Sequence, residues 1–415
     1  MDTLHRTCAG LDVHKKSVVA CVRTQRAREV SNDVRTFGTT TDELIELFDW
    51  LASFDVEEVV MESTGVYWRP IWKVLSGGFT LHLANAKEVK NVPGRKSDVK
   101  DAQWLAELMA HGMLRSSFVP DQEQQELREL TRTARQLARE RARHKQRIQK
   151  HLEACNIKLA NVITNVLGKS GRKIIEAIIA GKIIDPIELA DLSEGSIYKR
   201  KWLALAKSLR GTIRPHDRFM LASELRMHDA MQAELDLIRA RIDEVLPTPF
   251  VEAVGWLSEI PGLSPALALE VLAQTGVDMS RFPTADHLVS WACLCPRSDS
   301  TAGKPRSTRT RKGSQWLKPI LIQVAWSAVN KKDSRLRAYF QRLRARRGPH
   351  KAIVATAAKI LRVIYALLRD GVVYEEKVAA EKLLEQQRRH RRRLTNLRRA
   401  AKKLGYDVVP IPEPA

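Results

Sequence analysis

At Asp121 the chain changes texture, and that change constrains its architecture more than any other feature. Before it, short apolar runs with β-branched residues alternate with helical periodicity. Thr7 to Val13 and Ser17 to Val22 read as strands, with His14-Lys15-Lys16 as the turn between them. Val30 to Phe37, Val56 to Met61 and Phe79 to Leu83 read as three more. Thr40 followed by Glu43 is a capping box that opens a helix over Thr41 to Ser53. Tyr67 to Leu75 and Ser97 to Met109 read as further helices. Antiparallel strands first, then strands alternating with helices, predict an α/β domain with a mixed sheet.

After Asp121 the pattern is helical and strongly charged. Leu127, Leu130, Ala134 and Leu137 form a narrow seam in one long helix, predicted to run to Ala160. Leu221 to Val245 reads as a second long helix, and two such helices suggest an antiparallel coiled-coil arm or a dimer contact. Leu257 to Gly276 reads as helix, Ile260-Pro261-Gly262-Leu263 turn, helix. That turn is either a phosphate-holding helix-hairpin-helix or a plain connection. Ser298 to Ser314 reads as a polar basic loop, long enough to be functional or disordered. Trp316 to Val329 and Ala352 to Leu368 return to helical periodicity, and Arg388 to Lys403 is a basic helical tail. The expected divisions are 1–120, 121–250, 251–347 and 348–415.

Charge points to the partner. Seventy Lys and Arg against forty-eight Asp and Glu give a formal charge of +22. A field of that sign favours a polyanion, most often nucleic acid. Nine basic residues lie between Arg128 and Lys150. Arg135, Arg139, Arg143 and Arg147 recur every four residues, so they share one stripe, the expected phosphate contact. Lys304, Arg306, Arg309, Arg311 and Lys312 make the Ser298 to Ser314 loop a second basic candidate. The five cysteines, Cys8, Cys21, Cys155, Cys293 and Cys295, form neither a disulfide framework nor a zinc set and read as small buried residues. No apolar run reaches the ~20 residues that a membrane span needs, and no secretory leader opens the chain. A cytoplasmic protein is expected.

Four carboxylates suggest chemistry. Asp12 ends the first apolar strand and Glu62 follows Val59-Val60-Met61. A charge in such a place costs several kcal/mol unless it is paired or binds a metal. Asp98 and Asp101 are three apart on a predicted helix and repel each other unless a cation lies between them. Oxygen ligands of this kind suit hard divalent ions, and two such ions about 4 Å apart can drive phosphodiester chemistry.

The segments GLDVHKK (Gly10 to Lys16), VVMESTGVYWRP (Val59 to Pro70) and KSDVKDAQWLAEL (Lys96 to Leu108) resemble the DEDD signature of the IS-one-ten family of bacterial insertion-sequence transposases. IPGL at Ile260 and CPRSDSTAGKPRSTRTRKGSQWLKPIL at Cys295 are similar to that family's second region. The resemblance covers most of the chain in order. It implies a RuvC-like (RNase H-type) domain with Asp12, Glu62, Asp98 and Asp101 as catalytic metal ligands for Mg2+ or Mn2+. It implies a mainly helical transposase domain carrying a hydroxyl nucleophile. The partners it implies are donor and target DNA and a structured guide RNA, with the protein a homodimer or homotetramer on the nucleoid. The family's nucleophile is a serine in a pattern like S-A-G-K. Here Ser300-Thr301-Ala302-Gly303-Lys304 places Thr301 in register and Ser300 one residue earlier. Ser300 is less crowded than the β-branched Thr301, and both remain candidates. The rival readings are a metal-dependent, junction-resolvase-like nuclease and a non-catalytic nucleic-acid-binding protein.

Overall fold

The structure is a computed structural model of the chain. It describes residues 3–26, 29–63, 65–85, 89, 101–183, 185–296, 299–301, 304–307, 309–311, 313, 315–332, 334–376, 391 and 393–409. The chain forms two compact units, 1–120 and 121–415.

The first unit is built on a five-stranded mixed sheet. Its strands are β1 (Thr7–Val13), β2 (Val18–Arg26), β3 (Glu29–Phe37), β4 (Glu58–Glu62) and β5 (Thr80–Ala84), in the order β3-β2-β1-β4-β5. β1–β2 and β2–β3 pair antiparallel; β1–β4 and β4–β5 pair parallel. Strand alternation divides the residues between two faces. Leu11, Val13, Val59 and Met61 pack with Leu44, Leu47 and Leu51 of α1 (Thr41–Ala52) and Ile71 and Leu75 of α2 (Trp68–Leu75). Each such burial contributes about 1.5–3 kcal/mol. The capping box is formed: the Thr40 amide donates to Glu43 Oε2 at 2.9 Å.

The other face meets α3 (Asp101–Ala110). Val60 and Ala84 pack with Trp104, Leu105 and Leu108, and Cys21 packs with Ala102 and Ala106. Burial pushes the Cys8 thiol up to about 11 and the Cys21 thiol up to about 12. Protonated thiols of this kind are poor nucleophiles and act as packing residues. Ser97, where the sequence pattern starts this helix, lies outside the described residues.

The second unit is almost wholly helical. α4 (Gln122–Ala154) and α9 (Pro215–Val245) lie antiparallel, with Arg141 donating to Gln232 and His144 Nδ1 2.6 Å from Glu224 Oε2. Asp121 caps α4 by accepting from the Gln124 amide at 2.8 Å. The helix ends at Ala154, not near Ala160 as the periodicity predicted. Asn156 adopts φ 59°, the Ile157 amide donates to Leu152 O, and the Asn156 amide donates to Glu153 O. Those two bonds satisfy the last carbonyls with a left-handed residue just past the cap, so the helix stops there.

Between the long helices lie α5 (Leu159–Val162), α6 (Lys169–Ala180), α7 (Pro186–Asp191) and α8 (Gly195–Ser208). They share a core with Ile148 and Leu152 of α4 and Leu221 and Leu225 of α9. After α9 come α10 (Thr248–Ser258), α11 (Pro265–Thr275), α12 (Ala285–Trp291), α13 (Leu317–Asn330), α14 (Arg335–Arg347) and α15 (Pro349–Asp370). α15 contributes Ile353, Leu361 and Ile364 to the same core as α10 to α14, although composition read this region as the start of a tail.

The Ser298 to Ser314 region is not a bare loop. Asp299–Thr301 (β6) and Lys304–Ser307 (β7) pair antiparallel, with Thr301 opposite Lys304 and a register shift at Asp299/Ser300. Polar composition concealed these strands.

Candidate functional site

Residue Gly10 explains how α3 reaches the sheet. A Cβ added there would lie 2.5 Å from the Ala106 amide nitrogen and closer still to the Ala102 carbonyl oxygen. Only glycine permits that approach. Cys8 Sγ is 3.3 Å from Ala106 O, so α3 runs antiparallel to β1 and its Asp101 end lies toward Asp12.

Asp12 and Glu62 follow the paired residues Leu11 and Met61 at the ends of two neighbouring parallel strands. By alternation both belong to the α3 face, as do Gly10 and Val60. Asp12 pairs in register with Val19, which packs on Ala102 and Ala106 of α3. The Asp12 side chain is 23% exposed, and His14 Nε2 lies 3.2 Å from its Oδ2. Sequence reasoning missed this histidine, because in its local pattern it reads only as a turn residue. Asp101 is exposed in the first turn of α3.

Three of the four expected carboxylates therefore belong to one side of the sheet, two at strand ends and one at a helix start. The fourth, Asp98, lies outside the described residues. Among the described residues no group of three or more His, Cys, Asp and Glu side chains is gathered as a metal site. The donor chemistry does fit a hard divalent ion: carboxylate oxygens on adjacent strand ends.

The second candidate region lies in the other unit. Ser300 and Thr301 are on β6, and Lys304 and Arg306 are on β7. Pro296 bridges Thr310 at the foot of this hairpin, and Lys318 Nζ donates to Thr310 Oγ1 at 2.6 Å. Arg311 Nη2 donates to Ser290 Oγ at 2.8 Å and so ties the segment to α12. Arg309 is exposed, and Lys312 lies outside the described residues. Gly313 presses on Cys293; an added Cβ would meet Cys293 Sγ at 2.6 Å. The Pro261-Gly262 turn works in packing: Gly262 has φ 84°, and a Cβ there would meet Ala328 Cα of α13 at 2.9 Å.

The arginine stripe is not uniform. Arg135 is only 12% exposed, and its Nη1 donates to Glu270 Oε2 at 2.5 Å while Nη2 donates to Gln323 Oε1 at 3.0 Å. Burial pushes the Glu270 carboxyl up, with Arg135 opposing it. Arg139, Arg143 and Arg147 are exposed, Arg147 lying 3.8 Å from Glu224. Arg128, unmarked by the stripe pattern, donates to Ala273 O and Gln274 O at the end of α11, where a cation complements the helix dipole.

Residues 9–157 match the family model of DEDD transposases of IS110 type, described as "Transposase". Residues 255–341 match the model described as "Transposase IS116/IS110/IS902 family". This chain belongs to the IS110 transposase family. It is 32% identical over 162 residues to the insertion element IS110 uncharacterized 43.6 kDa protein of Streptomyces coelicolor, over 39% of this chain and 38% of that protein. It is 32% identical over 125 residues to y4pF/y4sB of Sinorhizobium fredii, over 29% of this chain and 32% of that protein. To the insertion element IS900 uncharacterized 42 kDa protein of Mycobacterium paratuberculosis it is 34% identical over 117 residues, 28% of this chain and 29% of that protein. The matched stretch thus spans less than two-fifths of each relative's length. Asp12, Glu62, Asp98 and Asp101 fall within the first matched segment, and Ser300 and Thr301 within the second. No helix among the described residues is long and apolar enough to cross a membrane.

Proposed function

We propose that this chain is a DNA transposase that cuts donor and target DNA and rejoins the strands. The observation that carries the reading is the placement of Asp12 and Glu62 at the ends of adjacent parallel strands, on the face where Asp101 opens α3. The strand order β3-β2-β1-β4-β5 supports a RuvC-like sheet. Asp12, Glu62, Asp98 and Asp101 would hold Mg2+ or Mn2+. When bound, such an ion supplies positive charge to a phosphate and favours ionisation of an attacking oxygen.

The chain's own hydroxyl, on Ser300 or Thr301, attacks a DNA phosphorus. The new bond joins protein oxygen to phosphorus, the bond to a deoxyribose oxygen breaks, and that oxygen leaves with a proton. Attack by a second strand's hydroxyl reverses the exchange and frees the side chain. Phosphodiester bond number is conserved throughout, so no external energy source is required.

Arg139, Arg143 and Arg147, with Lys304, Arg306, Arg309, Arg311 and Lys312, hold phosphates of DNA and of a structured guide RNA. The antiparallel pair α4/α9 serves as a coiled-coil arm and as the contact of a homodimer or homotetramer. The working divisions are the RuvC-like domain to 120, the arm to 250, the transposase domain from 251 through α15, which shares its core, and a basic extension beyond. The protein acts in the bacterial cytoplasm on the nucleoid.

The test is to incubate the protein with DNA and Mg2+, denature, and look for protein covalently joined to DNA. An adduct supports a transposase; magnesium-dependent cleavage without one favours a resolvase-like nuclease. Binding with neither reaction favours a non-catalytic protein.

A further inference from the structure

Along the outer face of α13 runs a groove of about 720 Å³. Gln315, Lys318, Ile322, Trp326, Ser327 and Asn330 line it, and among the described residues no lining residue is acidic. Residues 318 to 330 rise about 18 Å along a helix. One end of the groove is tied to the nucleophile hairpin: Lys318 donates to Thr310, which bridges Pro296 at the foot of β6 and β7. At the other end, Lys331 and Lys332 are exposed, and Arg337 Nη1 donates to Asn330 O at 3.3 Å.

Trp326 is 43% exposed, which is unusual for so large an apolar side chain on a helix whose opposite face is fully buried. It is nonetheless held. Phe340 of α14, itself buried, meets it at 5.9 Å between centroids and 65° between planes. An edge contact of this kind fixes the indole. The α13 backbone at Ser327 and Ala328 is braced by the close approach of Gly262.

We infer that this groove holds an unpaired stretch of the DNA strand being cut, with a base stacked on Trp326. The inference rests on the transposase reading and adds a substrate subsite to it. Duplex DNA hides the π-faces of its bases, so an open indole suits a single strand. Aromatic stacking beside a track of cations is the physical basis of single-strand binding. Gln315, Ser327 and Asn330 supply donors and acceptors for base edges. Cations at both ends, with no carboxylate between them among the described lining residues, favour a polyanion over an acid-and-base mixed peptide surface.

The experiment compares full-length protein with Trp326→Ala and Trp326→Phe, using fluorescence anisotropy on a labelled single-stranded DNA, the same sequence as duplex, and as single-stranded RNA. Loss of one stacked base should weaken single-strand DNA binding roughly 5- to 150-fold in Trp326→Ala. Trp326→Phe should recover most of that loss, and duplex affinity should stay within about twofold of wild type. A 5-iodouracil in the single strand should photo-crosslink to the α13 peptide in wild type. Single-strand DNA affinity unchanged in Trp326→Ala overturns the inference, as does an equal loss on duplex or a loss confined to RNA. If the DNA adduct still forms while single-strand affinity is unchanged, the groove inference falls and the transposase reading stands. If wild type forms no adduct, the transposase reading falls, whatever Trp326 does. Thermal melting of both variants separates lost stacking from lost fold.

Discussion

Gly10 of β1 lies beneath the carbonyl of Ala102 in α3, at a separation that leaves no room for a Cβ. That contact sets the height of α3 over the sheet, and α3 carries Asp101 at its first turn. Gly10→Ala should therefore lower stability by about 1–3 kcal/mol, the ordinary range for overpacking a filled site. It should also reduce DNA cleavage, because Asp101 moves with the helix. Urea unfolding and a cleavage assay on the same preparation check both. A variant with unchanged midpoint and unchanged cleavage would show that α3 can shift freely.

The carboxylates give the second prediction. Asp101 is exposed in the first turn of a helix, so Asp101→Asn should lower folding stability by no more than about 1 kcal/mol, the range for a charge at a helix N-terminus. Asp12→Asn, Glu62→Gln, Asp98→Asn and Asp101→Asn should each abolish strand cutting, as should chelation of divalent ions. Full activity of Asp101→Asn in magnesium would remove Asp101 from the site.

Much of this was legible in the chain itself, for physical reasons. The first sheet is written in period-two apolar runs, and Thr40 with Glu43 marks a helix start from local chemistry alone. Asp12 and Glu62 were conspicuous because a charge at an apolar strand end needs a reason. What escaped depended on distant partners or on single backbone angles. Nothing in the neighbourhood of Arg135 announces Glu270, 135 residues away, so a regular stripe of arginines read as one surface. Asn156 ends α4 through a left-handed conformation that the periodicity, which runs on, does not encode. Polar residues hid the β6–β7 hairpin because its strands carry no apolar face.

The arginines on α4 should separate into two classes. Arg135→Ala leaves the partly buried Glu270 carboxylate without its hydrogen-bonded cation, with the more distant charge of Arg139 still acting on it. It should cost about 2–3 kcal/mol, somewhat less than the 3–5 of a fully buried broken pair. Neutralising Arg139, Arg143 and Arg147 should cost little stability. It should instead reduce the slope of log affinity against log salt by roughly 0.7 to 0.9 per lost phosphate contact. Thermal melts and a salt titration of DNA binding measure the two effects, and an unchanged slope would make these three arginines a solvated face.

Acid should loosen the helical region between α4 and α9 through Glu194. Lys169, 2.5 Å away, and Lys173 hold its carboxyl down at about 2, against an ordinary value of 4.5. A carboxyl depressed in the folded state contributes stability that is full above pH 4.5 and is lost as pH falls toward 2. Wild type should melt higher than Glu194→Gln at pH 6, and the difference should close across that acid window. A gap that stays constant down to pH 2 would mean the lysines do not favour the ionised form.

The nucleophile is the sharpest case, because Ser300 and Thr301 are neighbours on one short strand. Whichever hydroxyl attacks DNA must carry the phosphate when the reaction is trapped by denaturation. In extended backbone, successive positions belong to opposite faces, so the two are not interchangeable and one alanine substitution should remove the adduct while the other largely spares it. Ser300→Ala removing it would favour the less hindered hydroxyl. Thr301→Ala removing it would favour register with Ala302-Gly303-Lys304. Thr301→Ser then becomes informative: if Thr301 is the nucleophile, serine there should keep the adduct and speed its formation by relieving the β-branch. Mass spectrometry of the DNA-linked peptide names the residue directly. An adduct that survives both alanine changes would move the nucleophile off β6, and Ser307 on the paired strand β7 is the next hydroxyl to replace.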